Sequence, residues 1–305
     1  MEGIMLKGVF ATLPTVFHDD LSVDFESIRA TVDFAIRCGV HGLVAMDLSA
    51  EYFTLLDDER AAVVETILDQ VAGRVPVIVS VTDTSTHGSC KWGKHAQQHG
   101  AAAVIAEPPF FMTQSVEKIR QFYAALDETV MIPIFLQSSP AFHADAIEPE
   151  MQMQIIAEGK HLHYVKTEHF EVQEYLSKTL AAAKSLPEGK FLGAAVGMNC
   201  ATMPHDYFRG CRIFMPPCEF ADLYVQLWEK LESSDVEESY NFYENLAPLL
   251  LMEMPHLRSA TKNVLQWRGV IQGTAVRERY VLTYDEISKK AMKDGLDAVR
   301  PLLRV

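Results

Sequence analysis

Short apolar runs rich in β-branched residues recur along the chain, and a helical stretch follows each of them. Gly8–Phe17 (GVFATLPTVF) opens the series. Gly42–Asp47 (GLVAMD), Val75–Val81 (VPVIVSV), Ala102–Glu107 (AAVIAE) and Ile132–Gln137 (IPIFLQ) follow. Leu162–Glu168 (LHYVKTE), Lys190–Val196 (KFLGAAV) and Cys211–Met215 (CRIFM) complete it. Runs that are apolar throughout suit strands buried on both faces, as in a parallel sheet. The stretches between them are amphipathic: Ser27–Cys38 carries Ile28, Val32, Phe34, Ala35 and Ile36, and Asp57–Val71 follows a Leu-Leu-Asp-Asp-Glu-Arg start signal. Cys90–His99 and Val116–Leu126 continue the alternation. Eight strand–helix units predict an α/β fold, a (β/α)8 TIM barrel rather than an open sheet.

From about Ser234 the pattern changes. No strand pattern remains, and helices are predicted at Val236–Met254, His256–Gln266 and Tyr284–Arg300. The expected organisation is a barrel over residues 1–233, closed by an eighth helix at Glu219–Glu232, with a C-terminal helical domain over 234–305.

Composition leaves this picture intact. The 305 residues are 49% hydrophobic, enough for one large core. A net charge of −14 argues against a nucleic-acid partner, which would need clustered Lys and Arg. It leaves room for a small anionic ligand, because a few local donors outweigh a global charge. No stretch approaches the roughly 20 apolar residues of a membrane span, and MEGIMLKGVFATLPTVF lacks the layout of a signal peptide. A cytoplasmic protein with no membrane partner is expected. Five cysteines (Cys38, Cys90, Cys200, Cys211, Cys218) at irregular spacings read as thiols in a reducing compartment.

In a barrel of this kind, chemistry sits at the C-terminal ends of the strands. The polar residues there are Thr15, Asp47 with Ser49, Thr82 and Asp83, Glu107, Gln137, and the pair Lys166 and Glu168. Lys166 and Glu168 share parity on one strand, so both project to the same side. A lysine that ends a buried strand is costly to desolvate unless it is paired or has a task. Desolvation makes it a nucleophile toward carbonyls, and a glutamate two residues on either pairs with it or moves protons. A structural ion pair is the alternative that these residues alone leave open. His161, His163 and His169 bracket the same strand without the spacing of a helical zinc motif, and no metal site is expected.

These motifs, taken in order, resemble the dihydrodipicolinate synthase / N-acetylneuraminate lyase family of Schiff-base aldolases. GVFATLPTVF is similar to its first strand, and DLSAEYFTLLDDER to its Gly-Thr-Thr-Gly-Glu segment with the helix start after it. TSTHGSCKWGKHAQQHGAAAVIAEPPFF is similar to its Pro-Pro-aromatic-aromatic unit, IPIFLQSSP to strand five and YVKTE to strand six. The resemblance runs over nearly the whole chain and implies that Lys166 forms the imine with a small 2-keto acid, with no cofactor. It also implies a homo-oligomer, a tetramer or dimer, and a substrate carboxylate held by Ser49 and backbone N–H groups such as that of Ala50. Thr15, Phe111 and Gly193 would line the substrate.

Departures from the family pattern narrow the reading. The strand-five Tyr that relays protons is Gln137 here. The Thr and second Tyr behind it align with Leu48 and Phe111, and the carboxylate-binding Arg aligns with Phe142. Gln137 with Lys166-x-Glu168 resembles the 2-keto-3-deoxyarabonate dehydratases, in which lysine, glutamate and glutamine together remove water from a sugar acid. Dehydration of a 2-keto-3-deoxy sugar acid is therefore expected. A pyruvate-dependent aldolase and a catalytically inactive 2-keto-acid-binding or regulatory barrel are the alternatives. Asp47 is expected to shape its turn, Thr82 and Asp83 to cap theirs, and Glu107 is open between a second acid and an outward charge. LGAAVGMNCATMP lacks the family's Gly-Asp-Asp, and Gly193 stands as the counterpart of its glycine. HDYFRGCRIF aligns poorly and leaves the wall at strand eight undefined.

Overall fold

The computed structural model describes residues 5–110, 114–140, 146–277 and 284–305. Eight parallel strands close into a barrel in sequence order: β1 (Gly8–Thr12), β2 (Gly42–Ala45), β3 (Val77–Ser80), β4 (Ala103–Ala106), β5 (Ile134–Ser138), β6 (Leu162–Thr167), β7 (Gly193–Val196) and β8 (Ile213–Phe214). Seven of the eight fall inside the apolar runs of the sequence, and β5 passes the end of its run by one residue, Ser138. The helices α1 (Phe25–Arg37), α2 (Asp57–Val71), α3 (Thr86–Gln98), α4 (Val116–Thr129), α5 (Pro149–Glu158), α6 (Val172–Ala182), α7 (Met203–Arg209) and α8 (Ala221–Glu232) alternate with them. A C-terminal helical segment follows with α9 (Val236–Glu253), α10 (Leu257–Trp267) and α11 (Glu286–Val299). The chain is a (β/α)8 TIM barrel with a C-terminal helical segment.

Local chemistry explains where the elements begin. The Asp24 carboxylate accepts from Ser27 N at 3.0 Å and starts α1. Ser85 Oγ does the same for α3 by accepting from Gly88 N at 2.9 Å. This cap starts α3 at Thr86, four residues before Cys90, because the Thr-His-Gly-Ser turn is polar and carries no apolar period. Helix α9 opens under Asp235, which accepts from Glu238 N at 2.9 Å. Among the described residues, no helix is long and apolar enough to cross a membrane. The five cysteines are free thiols, four of them buried.

The chain divides into two compact units. One joins the N-terminal segment up to Lys7 to Val77–Phe214 and so contains β3 to β8. Ile105↔Phe135 joins β4 to β5, Phe135↔Tyr164 joins β5 to β6 after a register shift between Ile134 and Phe135, and Tyr164↔Gly193 joins β6 to β7. Phe135 and Tyr164 stack at 4.4 Å, and the Tyr164 hydroxyl accepts from Leu6 N at 3.2 Å. Asp127, on α4, accepts from Lys160 N and His161 N, each at 2.7 Å, and thereby holds the entry to β6.

The second unit joins Gly8–Pro76 to Met215–Val305, so β1, β2, α1 and α2 are grouped with the helices α8 to α11. At its centre a fully buried ion pair joins Lys262 Nζ to Glu51 Oε1 at 2.6 Å. Arg277 N donates to the other Glu51 oxygen at 3.0 Å, and the Phe17 ring lies against both cations, at 4.5 Å from Lys262 and 4.4 Å from Arg277. A second buried pair, Arg268–Asp222, closes at 2.8 Å.

Candidate active site

Strands β5 and β6 bring Gln137 and Lys166 side by side, because the two are register partners. Lys166 is 1% exposed, and its Nζ lies 3.3 Å from Glu168 Oε1. The parity that placed both residues on one side is therefore what the fold contains. The other carboxylate oxygen, Glu168 Oε2, accepts from Gln137 Nε2 at 2.7 Å and from Ser139 Oγ at 2.9 Å. Gln137 Nε2 also donates to Ser139 Oγ at 3.0 Å. Gln137, Ser139, Lys166 and Glu168 thus form one buried polar network on two adjacent strand ends. Each carboxylate oxygen of Glu168 has a stated partner, one a cation and the other two donors, so its geometry is fixed before any ligand arrives.

Backbone features surround this carboxylate. A Cβ added at Gly197, just past β7, would lie 2.1 Å from Glu168 Oε1 and 2.7 Å from its Cδ. Beyond it Met198, Asn199 and Cys200 all take left-handed conformations, with φ of 50°, 54° and 50°. Three consecutive non-glycine residues in this region store strain of the kind that gathers at functional sites. His169 follows Glu168 and stacks on Tyr175 at 3.5 Å between centroids. Burial pushes its imidazole down to about 4, so the ring is neutral at ordinary pH.

Glu107, left open by the sequence, is buried at 5% exposure. Its N–H donates to Thr82 Oγ1 at 3.0 Å, and Ser80 Oγ donates to the same hydroxyl at 3.2 Å. Thr82 therefore bridges two strand ends. Asp83 fulfils the capping expectation by accepting from Ser85 N at 3.1 Å and from Trp92 Nε1 at 3.1 Å. Tyr123 rises from α4 and donates to the Ala106 carbonyl at 2.9 Å, with the Gln137 carbonyl at 3.4 Å. Burial, with the nearby Glu107 charge, pushes its phenol well above the usual range.

Thr15, Asp47, Ser49 and Ala50 belong to the second unit. Thr15 Oγ1 donates to the Ala50 carbonyl at 2.7 Å. Asp47 Oδ1 accepts from both Ser49 donors, N at 3.0 Å and Oγ at 2.5 Å, and Ala50 N donates to the Asp47 carbonyl at 3.0 Å. Asp47 thus shapes the turn, and its own carboxylate holds the donors expected to receive an anion. The Leu48 carbonyl accepts from Arg258 Nε at 3.0 Å. Phe111 and Phe142 lie outside the described residues.

Gly193 opens β7 opposite Tyr164, two residues before Ala195, which is level with Lys166. The glycine that touches the Glu168 carboxylate is Gly197, four residues on; the missing Gly-Asp-Asp left the sequence no marker to separate the two. The three histidines are spread apart in role, with His163 Nδ1 at 3.0 Å from the Lys190 carbonyl and His169 on Tyr175. Sequence reasoning passed over Ser139, although it shares parity with Gln137 two residues earlier.

Comparisons with known proteins bear on this geometry. A profile of the dihydrodipicolinate synthetase family matches residues 5–185. An L-2-keto-3-deoxyarabonate dehydratase from Azospirillum brasilense is 31% identical over 267 residues, 86% of this chain and 84% of its own. A 4-hydroxy-tetrahydrodipicolinate synthase from Methanopyrus kandleri is 29% identical over 252 residues, 81% of each chain. Among solved structures, YagE, a prophage protein of the dihydrodipicolinic acid synthase family from E. coli K12 in complex with pyruvate, superposes with a TM-score of 0.89 at 19% identity. That superposition covers 97% of this chain and 99% of YagE.

Proposed function

Because this chain belongs to the dihydrodipicolinate synthetase family, we propose that it is a lyase that dehydrates a 2-keto-3-deoxy sugar acid through an imine on Lys166. The observation that carries this reading is the buried contact of Lys166 Nζ with Glu168 at 3.3 Å, with Gln137 and Ser139 on the far oxygen of the same carboxylate. Lys166 attacks the C2 carbonyl, and water leaves as the imine forms. The imine withdraws electrons from C3, and Glu168 takes a C3 proton to give the enamine. The enamine electrons then expel the C4 hydroxyl, which takes the proton back from Glu168 and departs as water. Loss of a C5 proton and reprotonation at C3 turn the unsaturated imine into the C4–C5 enol, which tautomerises to the C5 aldehyde. Hydrolysis of the imine then releases the 2,5-dioxo product and restores the lysine.

Gln137 supports dehydration over carbon–carbon cleavage. Cleavage needs a base on the C4 hydroxyl, and an amide is no base; what Gln137 does here is orient the Glu168 carboxylate. The similarity to the Azospirillum dehydratase supports the same reading. The chemistry needs no cofactor. A cytoplasmic setting and a homo-oligomer, tetramer or dimer, belong to the proposal by family analogy.

Borohydride reduction in the presence of pyruvate, read by mass spectrometry, tests the imine: an adduct on Lys166 is expected. Incubation with 2-keto-3-deoxy acids then separates a 2,5-dioxo product, the expected outcome, from pyruvate, the aldolase outcome. Glu168→Gln should still trap pyruvate yet lose turnover by at least about 100-fold, the lower end for removal of a general base. Full turnover in that variant removes Glu168 from the mechanism.

A further inference from the structure

The proposed reaction uses Lys166, Glu168 and Gln137 and leaves Glu107 without a task. Its position is nonetheless specific. Ala106 pairs with Leu136, and Gln137 pairs with Lys166. Continuing the β4–β5 register by one residue sets Glu107 beside Gln137, so Glu107, Gln137 and Lys166 stand level on three adjacent strands. Partners across a parallel ladder project to the same face, and the Phe135–Tyr164 stack at 4.4 Å marks that face two residues earlier on β5 and β6. Glu107 is therefore a buried carboxylate on the Lys166 side of the sheet, two strand spacings away, roughly 10 Å along the sheet. Thr82 Oγ1 fixes its backbone N–H, and Tyr123 ties the carbonyl before it to the strand end that carries Gln137. These bonds fix the backbone at Glu107, and its burial sets it apart from a solvent-facing charge.

Resting on the imine reading above, we propose that Glu107 reads the far end of the substrate: its carboxylate accepts hydrogen bonds from the tail hydroxyls and its charge excludes 2-keto-3-deoxy acids that end in a second carboxylate. A substrate bound at C2 by Lys166 extends its tail past Gln137 toward Glu107. Hydroxyls are donors and suit an acceptor-only group. A terminal carboxylate offers no donor and brings a like charge into a buried site, where repulsion is poorly screened. Glu168 takes the C3 proton, so the two acids divide chemistry from recognition.

The test compares wild type, Glu107→Gln and Glu107→Asp on five- and six-carbon 2-keto-3-deoxy acids ending in a hydroxymethyl group and on a six-carbon analogue ending in a carboxylate. Pyruvate trapping serves as the tail-free control. Wild type should prefer the hydroxyl-ended acids. Glu107→Gln should lower kcat/KM on them by about 10- to 100-fold, the range for losing a charged hydrogen-bond acceptor, and raise it on the carboxylate-ended acid. Glu107→Asp, which keeps the charge, should keep rejecting that acid. Pyruvate trapping should be equal in all three. An unchanged preference in Glu107→Gln, with trapping intact, overturns the proposal. Absence of trapping in the wild type is a different result: it removes the imine reading and this inference with it.

Discussion

Gly197 has no side chain, and the Glu168 carboxylate fills the space that one would need. A methyl there would sit 2.1 Å from Oε1 and 2.8 Å from Cγ, well inside contact distance. Glu168 also has nowhere to retreat, since its other oxygen is held at 2.7 Å by Gln137 and 2.9 Å by Ser139. Gly197→Ala is therefore expected to push the carboxylate off Lys166 while the lysine itself stays in place. Pyruvate trapping should survive, while dehydration falls by about 100-fold or more, as for loss of the base; equal losses in both would show that Gly197 merely supports the fold. Parity on one strand made the pair Lys166 and Glu168 legible at this scale, whereas Ser139, which stands to Gln137 in the same way, was passed over. Gly197 was not legible, because its need arises from a carboxylate on a neighbouring strand, and no local pattern records such an approach. Asp47 was legible as the residue that shapes its turn, while its hold on both Ser49 donors depends on a turn geometry the sequence does not spell out.

Among the elements, α7 is short and carries a buried acid inside it. Asp206 is 0% exposed; its Oδ2 accepts from Thr202 Oγ1 at 2.8 Å, and its Oδ1 has no hydrogen-bond partner among the described residues. Burial pushes the carboxyl up to about 6, above its ordinary value of 3.8. A folded-state value above the unfolded one means that stability is fully present below about 4 and is lost as pH rises through about 6. Asp206→Asn removes that loss. Its stability relative to wild type should grow between pH 4 and pH 7 by up to about 3 kcal/mol, the ceiling for a shift of this size, and stay level above. Urea midpoints at several pH values measure it, and a constant difference across that window would show that the carboxyl is not strained by burial. Element positions were largely legible here, since every strand lies within an apolar run or, for β5, passes its end by one residue. Strand β8 shrinks to Ile213–Phe214, because its apolar run is brief, and α3 starts early because a serine cap, not apolar periodicity, sets its first turn.

At the scale of the whole chain, the change of pattern near Ser234 marks a switch from strand–helix alternation to helices alone, and we keep residues 1–233 and 234–305 as proposed parts on that ground. The compact units divide the chain differently and group residues 8–76 with 215–305. Two buried ion pairs that the apolar pattern could not reveal lie within the larger grouping. Lys262, on α10, neutralises Glu51 at 2.6 Å with both side chains fully buried, and Arg268 does so for Asp222 at 2.8 Å. Burial pushes the Lys262 ammonium down while the Glu51 charge opposes the shift. Removing one partner of a buried pair costs about 3–5 kcal/mol, against a typical total stability of about 5–15 kcal/mol. A chain ending at residue 233 would leave both Glu51 and Asp222 buried without their cations, so it should fail to fold cooperatively in urea or heat. Lys262→Met in the full chain should lose about 3–5 kcal/mol, and adding Glu51→Met should recover most of it, because two apolar groups leave no stranded charge. Cooperative unfolding of the 1–233 chain at near full-length stability would instead make 233/234 a boundary between independent folding units, and would show the two ion pairs to be dispensable.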